Sequence, residues 1–375
     1  MGTMTADSAE ERAALILLGH AAEPGDPIVG RMLAQSGAVE LLGRIRGGRS
    51  GLRNEEGLQA RLRGVSTDEA VARASRCGAT IVTRADRGWP SQLSALGHQT
   101  PVALWVAGAA DLRLLALRSV AMVGARACTA YGEELARQWS TELADRSWTV
   151  VSGAAFGIDA AAHRGALAAG GPTIAVLAGG VDEPYPRAHA GLLARIQDEG
   201  LVVSESPPGE RVRRQRFLAR NRLIAALTRT TVVVEAADRS GTTATARVAA
   251  ALTRPVLAVP GPVTSPASAG CHRMIRDGDA LLAGCLDDVL AALDLTSTAA
   301  VGPRSVPERS RDHLAPRERQ VLDALPARGT VGVEHVIAGA CLAAADALAA
   351  LGLLVATGWV EEAEGGWRLA RAPRA

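Results

Sequence analysis

Asp159 and His163 are the residues of this 375-residue chain that most resemble a catalytic pair. They lie four positions apart in "SGAAFGIDAAAHRGAL", residues 152–167, so a helix would bring both side chains to one face. A carboxylate there would orient the imidazole and raise its pKa. A hydrolase also needs a nucleophile or a metal, yet the segment has no third ligand at helical spacing and no G-x-S-x-G turn. We therefore predict no catalytic residue and no metal site. Instead, Asp159 braces the neighbouring loops and His163 hydrogen-bonds within the strand-exit crevice.

A second candidate is the turn in "MVGARACTAYGEELA", where a strand ends at Gly124 and a helix begins near Gly132. A glycine at such a turn lets the backbone approach a ligand, and the helix that follows favours an anion. The segment is not G-x-G-x-x-G and lacks the ribose-binding acid, so we expect no dinucleotide cofactor. Arg126 suits a phosphate contact, with a salt bridge at the rim as the alternative.

The densest positive charge follows "SESPPG". Between Ser204 and Arg239 the chain has four acids and eight arginines, namely Arg211, Arg213, Arg214, Arg216, Arg220, Arg222, Arg229 and Arg239. Phe217, one of only two phenylalanines, stands among them. Arginines for phosphates beside an aromatic platform for a base are typical of single-stranded nucleic-acid binding. The alternative is a solvated loop with Phe217 packed in the core.

A third glycine-containing stretch, "VVVEAADRSGTTATA", runs from a strand ending at Glu235 into a helix. Ser240, Gly241 and Thr243 lie at the start of that helix, where small hydroxyl residues and glycine suit a phosphate. Simple N-capping is the alternative interpretation.

These segments require a scaffold, and the hydrophobic pattern predicts a parallel sheet. Continuous apolar runs alternate with helical segments, and helices on both faces of the sheet would bury such strands. The loops after parallel strands share one edge, where doubly wound sheets bind ligands. The predicted strands are "VAMVG" (120–124), "WTVVSG" (148–153), "TIAVLAGG" (173–180), "LVVSE" (201–205), "TTVVVEAA" (230–237) and "PVLAVPG" (255–261).

We predict an α/β fold with an extended Rossmann-like, doubly wound and mostly parallel sheet over residues 73–295. A small helical domain resembling SAM or helix-hairpin-helix modules precedes it over residues 1–72. A linker over 296–312 leads to a winged-helix domain over 313–375, made of three helices and a hairpin. The acidic wing, with Glu361, Glu362 and Glu364, argues against DNA binding by that domain.

Composition excludes several classes of protein. The 41 basic residues nearly balance 39 acidic ones, and all the basic residues are arginines, so net charge alone does not point to nucleic acid. Five scattered cysteines without CxxC spacing argue against a disulfide framework and a zinc site. The chain lacks a basic leader and any apolar run long enough to span a bilayer, so we expect a cytoplasmic protein that does not associate with membranes.

Taken together, the motifs resemble the bacterial DNA-processing (DprA, or Smf) family. The resemblance rests on a series in the family's order over residues 119–282: "VGAR", "SGAAFGIDAAAH", "IAVLAGGVDEPYP", "SESPPG", "FLARNRLIAAL", "VVEAADRSGTTATA" and "AVPG…SAGCHRMIRDGDA". Looser similarity extends over nearly the whole chain.

The resemblance implies a non-enzymatic protein that needs no cofactor. Such a protein binds and protects incoming single-stranded DNA, commonly as a homodimer, and helps load the recombinase RecA during natural transformation. It also implies DNA contacts at Arg126, Arg214, Phe217, Arg220, Asn221 and Arg222. The phosphate-cradling floor would be Gly124, Gly153, Ser240, Gly241 and Thr243, with Asp159, His163 and Glu235 in support. The chain departs from the family at Ala125, where serine is usual, and at His189 and His272, where asparagine is usual.

Two other functions compete with this one. A phosphoribohydrolase-like nucleotide-processing enzyme on a related fold would use Glu235 or Asp159 as its carboxylate, but "RSGTTATA" stands where such enzymes have PGGxGT. A transcription regulator would depend on the winged-helix tail instead.

Overall fold

The computed structural model describes residues 6–238, 240–294, 314–326 and 329–370. The linker predicted over 296–312 and Arg239 of the arginine-rich stretch lie outside these residues. The chain divides into two compact units, Met1–Ala299 and Ala300–Ala375.

Within the described part of the first unit, nine strands form one sheet in the order β1-β2-β6-β5-β4-β3-β7-β8-β9. The strands are β1 (Ala79–Thr83), β2 (Ala103–Ala107), β3 (Ser119–Val123), β4 (Thr149–Ser152), β5 (Thr173–Leu177), β6 (Leu201–Ser204), β7 (Thr230–Val233), β8 (Val256–Ala258) and β9 (Leu281–Leu282). The run from β6 to β9 is parallel, whereas β2 pairs antiparallel with β6, and β1 with β2. The mostly parallel, Rossmann-like sheet predicted from the sequence is confirmed.

Helices cover both faces of this sheet. They are α1 (Ala6–Ala21), α2 (Pro27–Arg46), α3 (Glu55–Leu62), α4 (Thr67–Arg76), α5 (Leu112–Leu117), α6 (Ala130–Asp145), α7 (Ile158–Ala168), α8 (Ala190–Glu199), α9 (Arg214–Leu227), α10 (Thr242–Ala251), α11 (Ala269–Arg276) and α12 (Leu286–Asp294). Short 3₁₀ turns occur at Ser91–Gln99, Arg187–His189 and Pro266–Ser268.

The central strand β3 shows why its sequence is apolar throughout. Val120 and Met122 pack on one face with Trp139 of α6, whereas Val123 packs on the other face with Leu223 of α9. Both sets are buried because side chains alternate across a strand and helices cover both faces. Full burial of each such side chain contributes about 1.5–3 kcal/mol, which holds α6 and α9 firmly against the sheet.

The N-terminal helices pack on the antiparallel end of the sheet. Ile16 of α1 shares a buried cluster with Ile81 of β1 and Trp105 of β2. The opposite side of α1 packs on α2, through Leu15 and Leu41. The helical segment predicted over residues 1–72 therefore lies in the same compact unit as the sheet.

The second unit contains α13 (Pro316–Asp323), α14 (Val333–Ala340) and α15 (Ala344–Ala356), followed by a hairpin of β10 (Val360–Ala363) and β11 (Gly366–Leu369). This is the order predicted for a winged helix. Leu348 and Leu353 of α15 are more than half exposed, and α15 contains no basic residue.

In the described segments no single helix is long and apolar enough to cross a bilayer. The α14–α15 pair, bent by 107°, passes the same test of length and composition.

Candidate nucleic-acid interface

The sheet reverses its strand order at β3, which has β4 on one side and β7 on the other. At the carboxyl ends of these strands lies a cavity of about 290 Å³. Ligands of doubly wound sheets bind at such a switch point. The cavity is lined by Val123, Gly124, Ala125, Arg126, Ala155, Asp159, Phe217, Leu218, Arg220, Asn221, Ile224, Ser240, Gly241, Thr242 and Thr245.

The floor of the cavity joins the loop after β3 to the start of α10. Thr242 Oγ1 donates a hydrogen bond to the carbonyl of Gly124 (3.0 Å). A β-carbon at Gly124 would meet Ile158 of α7 at 2.5 Å, so only glycine permits this packing. Gly124 therefore lets three elements converge under the cavity.

The N-terminus of α10 opens into the same cavity. Its N-cap residue is Gly241, and among the described residues no side chain caps the helix. The first N–H groups of an α-helix have no intrahelical partner, and together with the helix dipole they favour an anion. Gly241 has open space where a β-carbon would stand, so a ligand can reach these groups.

Ser240 adds a hydroxyl to this anion-binding surface. Its Oγ is buried and has no hydrogen-bond partner within the described structure. A buried hydroxyl without a partner costs free energy unless a ligand or water satisfies it. Thr243, by contrast, lies outside the cavity lining and donates its hydroxyl proton to the Ser240 carbonyl (2.7 Å).

The rim combines a cation with an aromatic ring. The exposed Arg126 guanidinium lies over Phe217, 5.0 Å from guanidinium carbon to ring centroid. No carboxylate of the described residues forms an ion pair with Arg126, so the predicted alternative of a rim salt bridge does not describe it. Phe217 is half-buried rather than packed in the core. Asn221, one turn further along α9, reaches the Gly241 carbonyl through Nδ2 (3.4 Å).

Arg220 is the buried cation behind this rim. It is 6% exposed, and its Nη1 donates to the carbonyl of Val176 (3.0 Å). Its guanidinium fills the space that a β-carbon would take at Gly153. Gly153 thus makes room for an arginine rather than for a phosphate, and it does not line the cavity.

Asp159 is a buried carboxylate near enough to Arg220 for the two charges to interact, although the side chains form no direct ion pair. The N–H groups of Gly153 and Ala155 donate to its Oδ2 at 3.2 and 3.4 Å, so it braces the loop after β4 as predicted. Burial raises the pKa of this carboxyl, while the charge of Arg220 and the two N–H donors oppose that shift.

His163 behaves differently from the expectation. Its Nδ1 lies 2.7 Å from Thr173 Oγ1, and that hydroxyl donates to the Val150 carbonyl at 2.6 Å, so Nδ1 is the protonated nitrogen. Burial, then the charges of Arg220 and His189, lower its pKa to about 3. The expected rise in pKa was wrong, because burial and two neighbouring basic side chains all act to lower it. The expected position was also wrong, because His163 contacts the first residue of β5 rather than the strand-exit crevice.

Glu235 supports the loop after β3 and does not line the cavity. It is fully buried and accepts hydrogen bonds from the N–H (2.9 Å) and Oγ1 (2.6 Å) of Thr129. Thr129 in turn caps α6. Across the described part of the chain, no group of three or more His, Cys, Asp or Glu side chains is placed to hold a metal.

The arginines of α9 divide by burial. Arg214, in the first turn, is exposed and does not line the cavity. Arg216 pairs with Glu23 (3.1 Å) and Glu210 (2.8 Å). The structure does not bring Arg222 to the cavity, because it forms a buried ion pair with Glu205 (2.7 Å).

Two of the three departures from the family pattern have visible consequences. Ala125 lines the cavity without offering a hydroxyl. His189 is buried, with Nδ1 2.9 Å from the Ala154 carbonyl, and its ring stands edge-on to Phe156 at 4.6 Å between centroids. His272 has a buried Nε2 without a partner in the described chain, and nothing in the structure explains that substitution.

Sequence reasoning missed two residues beside the site. Thr242 was part of the quoted "RSGTTATA" motif, but its hydroxyl bond to Gly124 depends on the fold. Tyr185 stands 5.7 Å from Phe217 between ring centroids. The chain has only two tyrosines, and this rarity could have marked Tyr185 as a candidate site residue.

Comparison with known proteins agrees with this architecture. Residues 80–294 match the model of the family described as DNA recombination-mediator protein A. The putative DNA processing protein DprA of Mycobacterium tuberculosis (strain ATCC 25618 / H37Rv) is 42% identical over 366 residues, which cover 95% of this chain and 93% of that protein.

Two solved structures are similar. The X-ray structure of DprA from Streptococcus pneumoniae aligns with a TM-score of 0.63 at 33% identity, covering 78% of this chain and 98% of that one. The structure of DNA processing protein A from Helicobacter pylori, solved to explain that protein's single-stranded DNA binding mode, aligns with a TM-score of 0.52 at 25% identity, covering 58% of this chain and 96% of that one. The chain therefore belongs to the DNA recombination-mediator protein A family.

Proposed function

We propose that this chain is a DNA-processing protein that binds single-stranded DNA at the switch-point cavity. The observation that carries the proposal is the pairing of exposed Arg126 with half-buried Phe217 at the mouth of the cavity. The relatives named above support it, because one is a DNA processing protein with a described single-stranded DNA binding mode.

Phosphates would bind between the α10 N-terminus and the rim. Uncapped N–H groups, the free Ser240 hydroxyl and Arg126 approach one space from different elements. Charge-assisted contacts of this kind bind any sequence, and they weaken with salt because counterions are released. Arg214 would add a further phosphate contact from the start of α9.

A nucleobase would stack on Phe217. Stacking of a base on an aromatic side chain contributes about 1–3 kcal/mol and tolerates every base. A duplex hides its base faces, so we expect a preference for single strands.

We propose that the binding involves no turnover. Glu235 is engaged by Thr129, and Asp159 is engaged by two backbone N–H groups, so neither carboxylate suggested for a nucleotide-processing enzyme is free to act on a ligand.

The wider role follows from the family resemblance. We propose that the protein protects incoming DNA and passes it to RecA in transformation, as a homodimer in the cytoplasm. The domain limits proposed are 1–72, 73–295 and 313–375, with 296–312 as the linker.

The decisive experiment is a gel-shift titration of single-stranded and duplex oligonucleotides across a salt series. We expect Phe217→Ala to weaken single-strand binding by about 1–3 kcal/mol. We expect Arg126→Ala to weaken it too and to flatten the slope of log affinity against log salt by about 0.7, the value for one phosphate of a single strand.

Arg195→Ala is the matched control, because it removes the same charge from an exposed pair with Glu199 on α8. Undiminished binding by both rim variants would refute the proposed site. Release of free base from nucleoside monophosphates would refute the absence of turnover.

A further inference from the structure

The four phenylalanine and tyrosine residues of this chain all lie at the carboxyl edge of the sheet. Tyr131 follows β3, Phe156 follows β4, Tyr185 follows β5, and Phe217 follows β6. Three of them are 46–48% exposed, and Phe217 is half-buried. The core of this unit takes its rings from tryptophan instead, with Trp89, Trp105, Trp139 and Trp148 all buried.

Three of these rings, with one buried histidine, form two ring pairs, and the first of these pairs begins at the cavity. Phe217 and Tyr185 have centroids 5.7 Å apart at an interplanar angle of 59°. Phe156 and His189 have centroids 4.6 Å apart at 62°. Tyr185 and His189 belong to the same loop after β5, so this loop supplies one ring to each pair. We call Phe217, Tyr185, His189 and Phe156 the aromatic path.

The exposure of the path is unfavourable for a protein that only has to fold. A buried aromatic side chain removes about 150–250 Å² from water, and a core ring gains from that burial. Phe156 and Tyr185 are about half exposed, so each loses about half of this burial, although the chain has only four phenylalanine and tyrosine residues. Contiguous apolar surface on a soluble protein commonly marks a binding site.

The charges around the path suit a polyanion. At its cavity end Arg126 and Arg214 are exposed. Both acidic side chains of the Tyr185 loop have partners of their own. Asp182 accepts a hydrogen bond from the Gly209 N–H at 2.8 Å, and Glu183 forms an ion pair with Arg187 at 3.6 Å. Flat rings beside arginines are the pattern that single-stranded nucleic acid requires.

We propose that the aromatic path is a second stacking platform, on which nucleobases outside the cavity bind to Tyr185 and Phe156. This inference rests on the function proposed above. A single strand held in the cavity through its phosphates would continue past Phe217 across the exits of β5 and β4. His189 would hold the Phe156 ring in place from below through its edge-on contact and its bond to the Ala154 carbonyl.

The test is affinity as a function of strand length, measured by fluorescence anisotropy with labelled oligothymidylates from about 4 to about 16 nucleotides, the range of single-strand binding sites. For the wild type we expect affinity to rise with length. For Phe156→Ala we expect wild-type affinity for the shortest strand, and for both Tyr185→Ala and Phe156→Ala a loss of roughly tenfold for the longest, within the range for one stacked base.

Tyr131→Ala is the matched control. Tyr131 lies on the same edge with nearly the same exposure as Tyr185, 48% against 46%. Its surroundings are acidic, because the charge of Glu235 adds to burial in raising the pKa of its hydroxyl. We expect unchanged affinity at every length, and rescue of the other two positions by Tyr185→Phe and Phe156→Tyr.

An oligonucleotide with abasic positions provides a second measurement that needs no variant. Loss of bases beyond the cavity should weaken wild-type binding, cause a smaller loss in Tyr185→Ala, and cause no further loss in the double variant Tyr185→Ala with Phe156→Ala. If the wild type binds and neither Tyr185→Ala, Phe156→Ala nor the abasic strand changes affinity, the aromatic path is refuted while the cavity stands. If the wild type binds no strand, or Arg126→Ala binds as well as the wild type, the proposed function itself fails.

Discussion

Replacing Arg220 with methionine should destabilise the protein far more than any other arginine change near the cavity mouth. Arg220 lies inside the protein, packed against Gly153, with its Nη1 bonded to the Val176 carbonyl and its charge acting on Asp159 without a direct ion pair. Methionine keeps an unbranched apolar stem but removes the charge, so Asp159 would be left as a buried anion without its cation.

The size of the effect follows from that loss. Leaving a buried hydrogen-bonding group without its partner costs about 1–3 kcal/mol, and more where a charged group takes part. Arg220→Met removes a charged donor from the Val176 carbonyl and also the positive charge that offsets the burial of Asp159, so we expect the upper value, about 3 kcal/mol. With a urea m-value of about 3 kcal/mol per molar, the midpoint of unfolding would fall by roughly 1 M.

Urea unfolding followed by tryptophan fluorescence measures this change, because four of the six tryptophans are buried in the same unit as Arg220. Arg214→Met is the matched control, since it removes an exposed arginine from the same helix and should alter stability by no more than about 0.5 kcal/mol. Adding Asp159→Asn to Arg220→Met should restore much of the lost stability. If Arg220→Met unfolds like the wild type and loses only DNA binding, then Arg220 is a DNA contact and the reasoning is wrong.

Three further outcomes are expected. The pKa of His163 is lowered from 6.5 to about 3 in the folded protein, so between these pH values only the unfolded chain takes up the proton, and folding stability falls as the pH falls. In urea titrations, His163→Gln should therefore remove roughly 3 kcal/mol of the stability that the wild type loses between about pH 7 and about pH 4. Equal acid sensitivity of the two proteins would contradict this. Glu23→Ala should cost about 2 kcal/mol of unfolding free energy, because Arg61 and Arg213 lose an ion pair and Arg216 keeps only Glu210. Glu40→Ala, which breaks an exposed pair, should cost under about 0.5 kcal/mol. Similar values for the two variants would refute a supporting role for Glu23. Deleting residues 313–375 should leave the affinity for single strands within about threefold of the wild-type value, because the proposed contacts lie in the first unit. Loss of binding in gel shifts would instead assign DNA binding to the tail.

The sheet was predictable because its signal is local. Each of the six predicted parallel strands is a continuous apolar run followed by a helical segment, and both properties can be read within a few residues. The antiparallel pair β1 and β2 was not predicted. β2 pairs with β6, almost a hundred residues later in the chain, and no pattern within β2 itself indicates that distant partner.

The sequence predicted where the site residues lie but not what role each of them has. The strand-exit rule brought Gly124, Arg126 and Ser240 together correctly. The roles of the arginines depended on distant partners, as with Arg216 and Glu23, which are 193 positions apart. A count of charges in "RVRRQRFLARNRL" treats buried and exposed arginines alike, so it could not show that Arg214 alone of the four on α9 is exposed.

The three buried arginines of α9 also limit how the protein can respond to a ligand. They fasten one helix to three separate places: Arg216 to the N-terminal segment, Arg220 to the exits of β4 and β5, and Arg222 to the residue after β6. A rotation of α9 would break all three attachments at once, so α9 cannot rotate to close over DNA. If DNA binds as proposed, the strand rather than α9 would become ordered, and the entropic cost of that complex would fall on the DNA.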